Sequence, residues 1–345
     1  MMLGDLGASV LKVERPDGGD ETRAWGPPFD SRGESAYYLS ANRNKLGLVA
    51  DLDRASDVEL VRSLAAAADV VVENFRPGAL ERRGLGPDTL QVVNPGLVWC
   101  SISGFGGGSS RPGYDFVVQA ESGWMSITGE PGGSPMKHGV ALADVLAGKD
   151  AAIAILAALV ARARTGLGRT VEVSLASSAE AALVNVAQNA LVSGRPPARW
   201  GNAHANLVPY ASFDAADRAL VIAVGSDAQW LACATALGLD ALAAEHELRT
   251  NAGRLAHRER LTQAIAQRVA TGPAAEWVAR LDRSGVPCGV VRSVLEVLGS
   301  VQGSALTGMP PSVPGSVRRP PPRLGEHSVL VRARGWNAFD DHLSS

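Results

Sequence analysis

Two runs in this chain, Asp69-Val70-Val71-Val72-Glu73 and Leu97-Val98-Trp99-Cys100-Ser101-Ile102, are apolar without the in-and-out alternation of a half-solvated strand. Runs of that length fit strands covered on both faces, as in parallel sheets. Helical patterns lie between and around them, over 56–67, where Ser56 is expected to cap, and over 87–93. Further strands are expected over 9–14, 46–51 and 170–175, with another helix near 179–191. Strands alternating with helices across short loops predict an α/β domain with a Rossmann-like, doubly wound parallel sheet.

The sequence has 345 residues, enough for one large or two medium domains. Arg195-Pro196-Pro197 and Gly201-Asn202 punctuate the pattern, and the strand over 219–224 with later helices reads as a smaller α+β domain. The expected division is a large domain over 1–200, a small one over 201–305, and a Pro-rich segment over 306–345 that returns to the large domain. A net charge of −2 supplies no basic field for nucleic acid or a membrane surface. The apolar stretch at 151–161 is bounded by Lys149, Asp150 and Arg162 and is too short to span a bilayer. Cys100, Cys233 and Cys288 match no metal spacing and fit a reduced, cytoplasmic setting. Residues 1–8 read as the second half of a helix, as if the chain began partway through a βαβ unit.

Asp144 stands where a short apolar stretch meets the longest helical pattern, which closes on Arg162, Arg164 and Gly166. As a bare pattern it is a helix N-cap. As chemistry, a carboxylate at the positive end of a helix is held ionised and is a candidate nucleophile. Asp115, after Gly113-Tyr114, is either a turn residue or a second carboxylate that manages the first. Glu73-Asn74-Phe75-Arg76-Pro77-Gly78 closes a predicted parallel strand at its carboxyl end, where open α/β sheets bind ligands. Arg76, Arg82 and Arg83 there, and Lys12 and Arg15 after the first strand, are either solvated basic loops or contacts for a phosphorylated small molecule. Gly104-Phe105-Gly106-Gly107-Gly108 lacks the spacing of a dinucleotide cradle and reads as a substrate-facing loop. The six histidines form no triad or metal pattern, and Ser177-Ser178 lacks a nucleophile elbow.

Taken together these segments resemble the class III CoA-transferases of the CaiB/BaiF type, a superfamily that includes formyl-CoA and carnitine CoA-transferases and α-methylacyl-CoA racemases. The match runs in order through Lys12-Val13-Glu14-Arg15-Pro16, Asn42-Arg43-Asn44-Lys45, Val72 to Gly78, Gly113-Tyr114-Asp115 with Gln119, Ala143-Asp144 with Gly148, 164–175, and 321–327. It implies Asp144 as nucleophile, Asp115 as its acidic neighbour, and Tyr114 as an active-site residue. It places Arg15, Asn74, Phe75 and Arg82 at CoA contacts, with Lys45 in the same neighbourhood and Arg83 beside Arg82. Tyr114 stands where the racemases carry a histidine, which favours transfer over epimerisation, since a phenol with a pKa near 10 is a poor base for an α-proton. An acyl-CoA racemase and a non-catalytic CoA-binding paralogue are the rival readings. The resemblance further implies coenzyme A or acyl-CoA as a substrate, no metal, and an interlocked homodimer. Relatives begin with one more strand and a loop that reaches CoA, so either the true start lies further upstream or the chain is a shortened form short of one central strand.

Overall fold

The computed structural model describes residues 1–342, and the chain divides into two compact units. The first comprises Met1–Trp124, Lys137–Gln188 and the chain from Leu298 on; the second comprises Met125–Met136 and Asn189–Val297. The excursion over Met125–Met136 has no counterpart in the sequence reading, which runs the large domain unbroken to residue 200.

Elements of the first unit follow in the order α1 (Met2–Asp5), β1 (Val10–Glu14), α2 (Ala36–Asn42), β2 (Lys45–Val49), α3 (Ala55–Ala66), β3 (Val70–Glu73), α4 (Pro87–Val93), β4 (Val98–Ser103) and α5 (Asp115–Glu121). The chain leaves it through α6 (Trp124–Ile127) and re-enters to form α7 (Leu142–Thr165), β5 (Thr170–Ser174) and α8 (Leu175–Ala181). Every strand pairing here is parallel: Val10 lies opposite Lys45, Val70 opposite Val98, and Trp99 opposite Thr170. The strands make two sheets, β1–β2 and β3–β4–β5, rather than one. Val13 on β1 and Val72 on β3 are 40% and 49% exposed, so β3 is less buried than its unbroken valine run suggests.

β4 shows why its sequence does not alternate. Leu97, Val98, Trp99 and Cys100 are all nearly inaccessible because both faces are covered. Leu80, Leu85, Leu90 and Ala65 pack on the Trp99 side, and Ala151 and Ile155 of α7 pack on the Cys100 side. The inward residues of α7 are mostly alanines (143, 147, 151, 152 and 158), small enough to bring the helix close to the strands. It stops where Gly166 takes a left-handed backbone and its N–H donates to Arg162 O (2.7 Å). Its start differs from the expectation. Ala141 is the N-cap residue and Asp144 lies within the first turn, so Asp144 does not cap the helix. Ser56 likewise sits inside the first turn of α3, whose N-cap is Arg54 with no side-chain bond. The helix expected near 179–191 is two helices, α8 and Val184–Ser193, interrupted where Val184 adopts a φ of 39°.

The second unit holds an antiparallel sheet of β6 (Tyr210–Asp214), β7 (Ala219–Ala223) and β8 (Cys288–Val290). Helices Asp227–Leu237, Arg258–Val269 and Ala274–Arg283 bury Trp230, Leu237, Leu261, Ile265 and Leu281 against Leu220 and Ile222. The chain from Leu298 on rejoins the first unit. Arg318 and Arg319 donate their backbone N–H groups to Asn44 Oδ1 (2.6 and 2.9 Å), and His327 N–H donates to Gly47 O (3.0 Å). Helix Ser328–Arg334 then sets Val331 on Leu46, Leu48 and Leu64.

Candidate active site

The head of α7 is capped from outside its own sequence. Asp115, the first residue of α5, accepts the Ala143 N–H through Oδ1 (2.8 Å), and Gln119 Nε2 donates to its Oδ2 (2.6 Å). Gln119 is fully buried, and its Oε1 accepts the His138 N–H (2.8 Å), so one side chain holds both Asp115 and the segment leading into α7. The carboxylate at the helix's positive end is therefore Asp115. Asp144 comes one residue after the capped amide, on the exposed side of the helix.

A neighbouring carboxylate makes ionisation of Asp144 harder. Although the residue as a whole is exposed, partial enclosure of its carboxyl by surrounding protein, and after that the charge of Asp115, push its pKa up to about 6. The sequence expectation, that the helix end holds Asp144 ionised, is thus reversed in direction. Two first-turn amides are already engaged: Leu142 N–H donates to Val140 O (2.8 Å) and Ala143 N–H to Asp115. At neutral pH Asp144 is still mostly carboxylate, and a carboxylate of raised basicity is a better nucleophile.

The head of α5 is placed by a close backbone crossing. A Cβ on Gly104, just past β4, would lie 2.3 Å from Gly113 Cα, and one on Gly113 would lie 2.1 Å from Gly104 Cα. Only a glycine pair allows this contact, which returns the loop to deliver Tyr114 and Asp115. Tyr114 is the N-cap residue of α5 and stands 56% exposed.

Tyr37, on α2, joins this group and was not singled out from sequence. Its phenol pKa is raised by burial first and then by the charges of Asp144 and Asp115, which puts its hydroxyl within electrostatic reach of both. Its ring meets Trp25 edge to face, centroids 4.9 Å apart. Its neighbour Tyr38 points inward, where its hydroxyl accepts from the buried Arg23 that also binds Glu14 and Glu34. Gln119 follows Asp115 at helical i,i+4 spacing, a signal available in the sequence. No local pattern identifies Tyr37.

The expected CoA contacts fall in two places. Arg15 follows β1, and Asn74 and Phe75 follow β3, all at the carboxyl ends of parallel strands, as is the Tyr114–Asp115 loop after β4. Arg82 is exposed, with a guanidinium nitrogen 3.0 Å from where a Gly78 Cβ would be. Arg83 braces the same loop, donating to Leu52 O, Ala79 O and Asp53 Oδ1. Lys45 lies at the other end, opening β2, where its Nζ donates to Asn42 Oδ1 (2.8 Å). Burial, and then the charge of Lys12, lower its pKa to about 8. Along the β1–β2 ladder Lys45, opposite Val10, thus opens the end away from Arg15, which follows Glu14. Among the described residues no group of three or more histidine, cysteine or acidic side chains is placed to hold a metal.

The sequence pattern described as CoA-transferase family III matches residues 1–328. The succinate–glutarate CoA-transferase of Agrobacterium fabrum is 41% identical over 361 residues, covering 96% of this chain and 90% of that protein. The succinyl-CoA:glutarate CoA-transferase of Mus musculus is 40% identical, covering 95% of this chain and 80% of its own length. The crystal structure of a CaiB/BaiF family protein from Brucella suis superposes with a TM-score of 0.83 at 39% identity, over 96% of this chain and 93% of that one. With parallel strands delivering an acidic pair to their carboxyl ends, and agreement along nearly its whole length, the chain belongs to CoA-transferase family III and is an acyl-CoA:carboxylate CoA-transferase.

Proposed function

We propose that the protein moves CoA from succinyl-CoA to a short dicarboxylic acid such as glutarate, with Asp144 as covalent carrier. The observation that carries the mechanism is the Asp144–Asp115 pair at the head of α7, with Asp144 pushed up to about 6. The choice of substrates follows relatives whose names specify succinate, glutarate, oxalate and mesaconate. An Asp144 oxygen attacks the donor thioester carbonyl; the C–S bond breaks and CoA leaves as thiolate, giving an acyl-aspartyl anhydride. The thiolate attacks the aspartyl carbonyl, the C–O bond breaks, and the donor acid departs as carboxylate from an aspartyl-CoA thioester. An acceptor carboxylate then expels the thiolate to form a second anhydride. Attack of the thiolate on the acceptor acyl carbonyl makes the new thioester and restores Asp144. No net proton is exchanged, and each step exchanges one activated acyl for another.

In this scheme Asp115 holds the α7 head through Ala143, and Tyr37 and Tyr114 offer hydroxyls to the developing oxyanions. Arg15, Asn74, Phe75 and Arg82 hold the CoA moiety at the strand ends. The working form is a cytoplasmic homodimer, checked by light scattering of the purified protein. The mechanism is tested with succinyl-CoA and glutarate: hydroxylamine converts the trapped intermediate at Asp144 to a hydroxamate seen by peptide mass spectrometry, and Asp144→Ala abolishes both adduct and transfer. Full transfer by Asp144→Ala refutes the scheme, and α-deuterium exchange of a 2-methylacyl-CoA without transfer supports a racemase instead.

A further inference from the structure

The turn after β3 holds an aromatic ring half in water, and the side chain of Glu73 explains why it stays there. Parallel pairing sets Glu73 opposite Ser101, with Val71 opposite Trp99 two residues earlier on the same face. Val71 and Trp99 lie in the apolar layer with Leu80, Leu85 and Leu90, and Glu73 sits at the carboxyl end of that layer. Its carboxylate is used on both sides. Oε1 accepts a short hydrogen bond from the Ser101 hydroxyl, which itself accepts from Trp99 Nε1 (3.0 Å). Oε2 accepts the Phe75 backbone N–H (2.7 Å). The side chain is half-buried, and its charge adds to burial in raising the pKa of Cys100.

The loop is anchored again at Leu80, which is buried in the same layer. Between these anchors 74–77 are exposed, and Phe75 keeps 53% of its surface in solvent. An apolar ring in that position tends to collapse onto the nearest apolar surface unless its backbone is held. Glu73 supplies the restraint, and through Ser101 and Trp99 it is fastened to the central strand β4.

We propose that Glu73 is a positioning residue that presets the Asn74–Phe75 turn for the CoA moiety of the substrate, through the Phe75 N–H on one side and the Ser101 hydroxyl on the other. The proposal rests on the reading that CoA is held at this turn. A charge-assisted hydrogen bond that fixes a binding loop is expected to alter affinity about tenfold. The experiment is a double-mutant cycle on the full chain, with free coenzyme A titrated by calorimetry and turnover followed with succinyl-CoA and glutarate. Glu73→Ala is expected to weaken CoA binding and raise the KM for succinyl-CoA about tenfold, with kcat at saturation within about twofold of the parent. Glu73→Gln, which keeps the shape and one acceptor, falls between. Phe75→Ala also weakens binding, and in the double variant the two losses do not add, because the lost restraint acts through the lost ring.

Thermal unfolding of each variant separates a folding defect from a binding defect, and Glu73→Gln serves if Glu73→Ala does not fold. Unchanged CoA affinity in Glu73→Gln and Glu73→Ala alongside weakened affinity in Phe75→Ala overturns the positioning role and leaves the CoA site standing. Unchanged affinity in both Phe75→Ala and Asn74→Ala overturns the CoA site itself, and this proposal with it. Additive losses, or a fall in kcat with KM unchanged, also overturn it.

Discussion

In the proposed mechanism, ionisation of Asp144 sets the pH at which the site works. Its pKa is raised to about 6, so the nucleophilic carboxylate is lost as pH falls through 6 rather than through the ordinary carboxylate range. kcat/KM is therefore expected to have an acid limb near pH 6, measured at constant ionic strength. Asp115→Asn removes the neighbouring charge while its amide oxygen still accepts the Ala143 N–H, so the limb moves to lower pH; a limb that stays put speaks against the coupling. Tyr37 is the other residue whose role can be isolated. Tyr37→Phe keeps the ring against Trp25 and deletes only the hydroxyl, whose ionisation feels the charge of the two carboxylates. Loss of one donor to a developing oxyanion is expected to lower kcat by about 10-fold or more with the melting temperature unchanged. A variant with parental kcat removes Tyr37 from the site.

At the scale of elements, the acidic pair depends on two helices that reach it in opposite ways. α5 presents Asp115 from its first residue because the loop before it crosses β4's exit at Gly104 and Gly113. A methyl group at Gly104 has nowhere to go but against the Gly113 backbone, so Gly104→Ala must move the head of α5. The expected cost is about 1–3 kcal/mol of stability with a larger loss of turnover, measured by urea unfolding and steady-state kinetics on the same preparation. Gly108→Ala, where a Cβ meets nothing within 4 Å, is the control and should retain both. α7 reaches the site through its small inward face, which lets a long helix lie flat on β4 and β5 with its first turn at their carboxyl ends. Its stop at Gly166 is legible as a C-cap signal. Its start is not, because the group that caps it arrives from residue 115.

At the scale of the whole molecule, the first helix and the segment over 316–319 meet at Asn44. Buried with a φ of 62°, it accepts from the backbone of Arg318 and Arg319 and donates to Asp5 Oδ1 and Ser316 O. Asn44→Ala strands these partners and places alanine in a left-handed conformation, so a loss of about 3–5 kcal/mol is expected in urea unfolding. A loss below about 0.5 kcal/mol would show that the returning segment does not depend on this junction. The α/β alternation, the parallel pairing and the α+β character of the second unit were legible because each follows from local periodicity, and the carboxyl-end placement of Asn74, Phe75 and Asp115 follows from them. The crossing at Met125–Met136 and the two-sheet arrangement were not, since neither leaves a local pattern. By itself the sequence determined which residues stand at strand ends and which family the chain joins, because motif order is a property of the chain. Only the tertiary structure decided that Asp115 caps α7, that Asp144 is harder rather than easier to ionise, that Tyr37 feels the charge of both, and that Lys45 opens the ladder end away from Arg15. Those outcomes depend on distances and burial among residues far apart in sequence, and the strength of an electrostatic interaction is set by separation and solvent access, not by position along the chain.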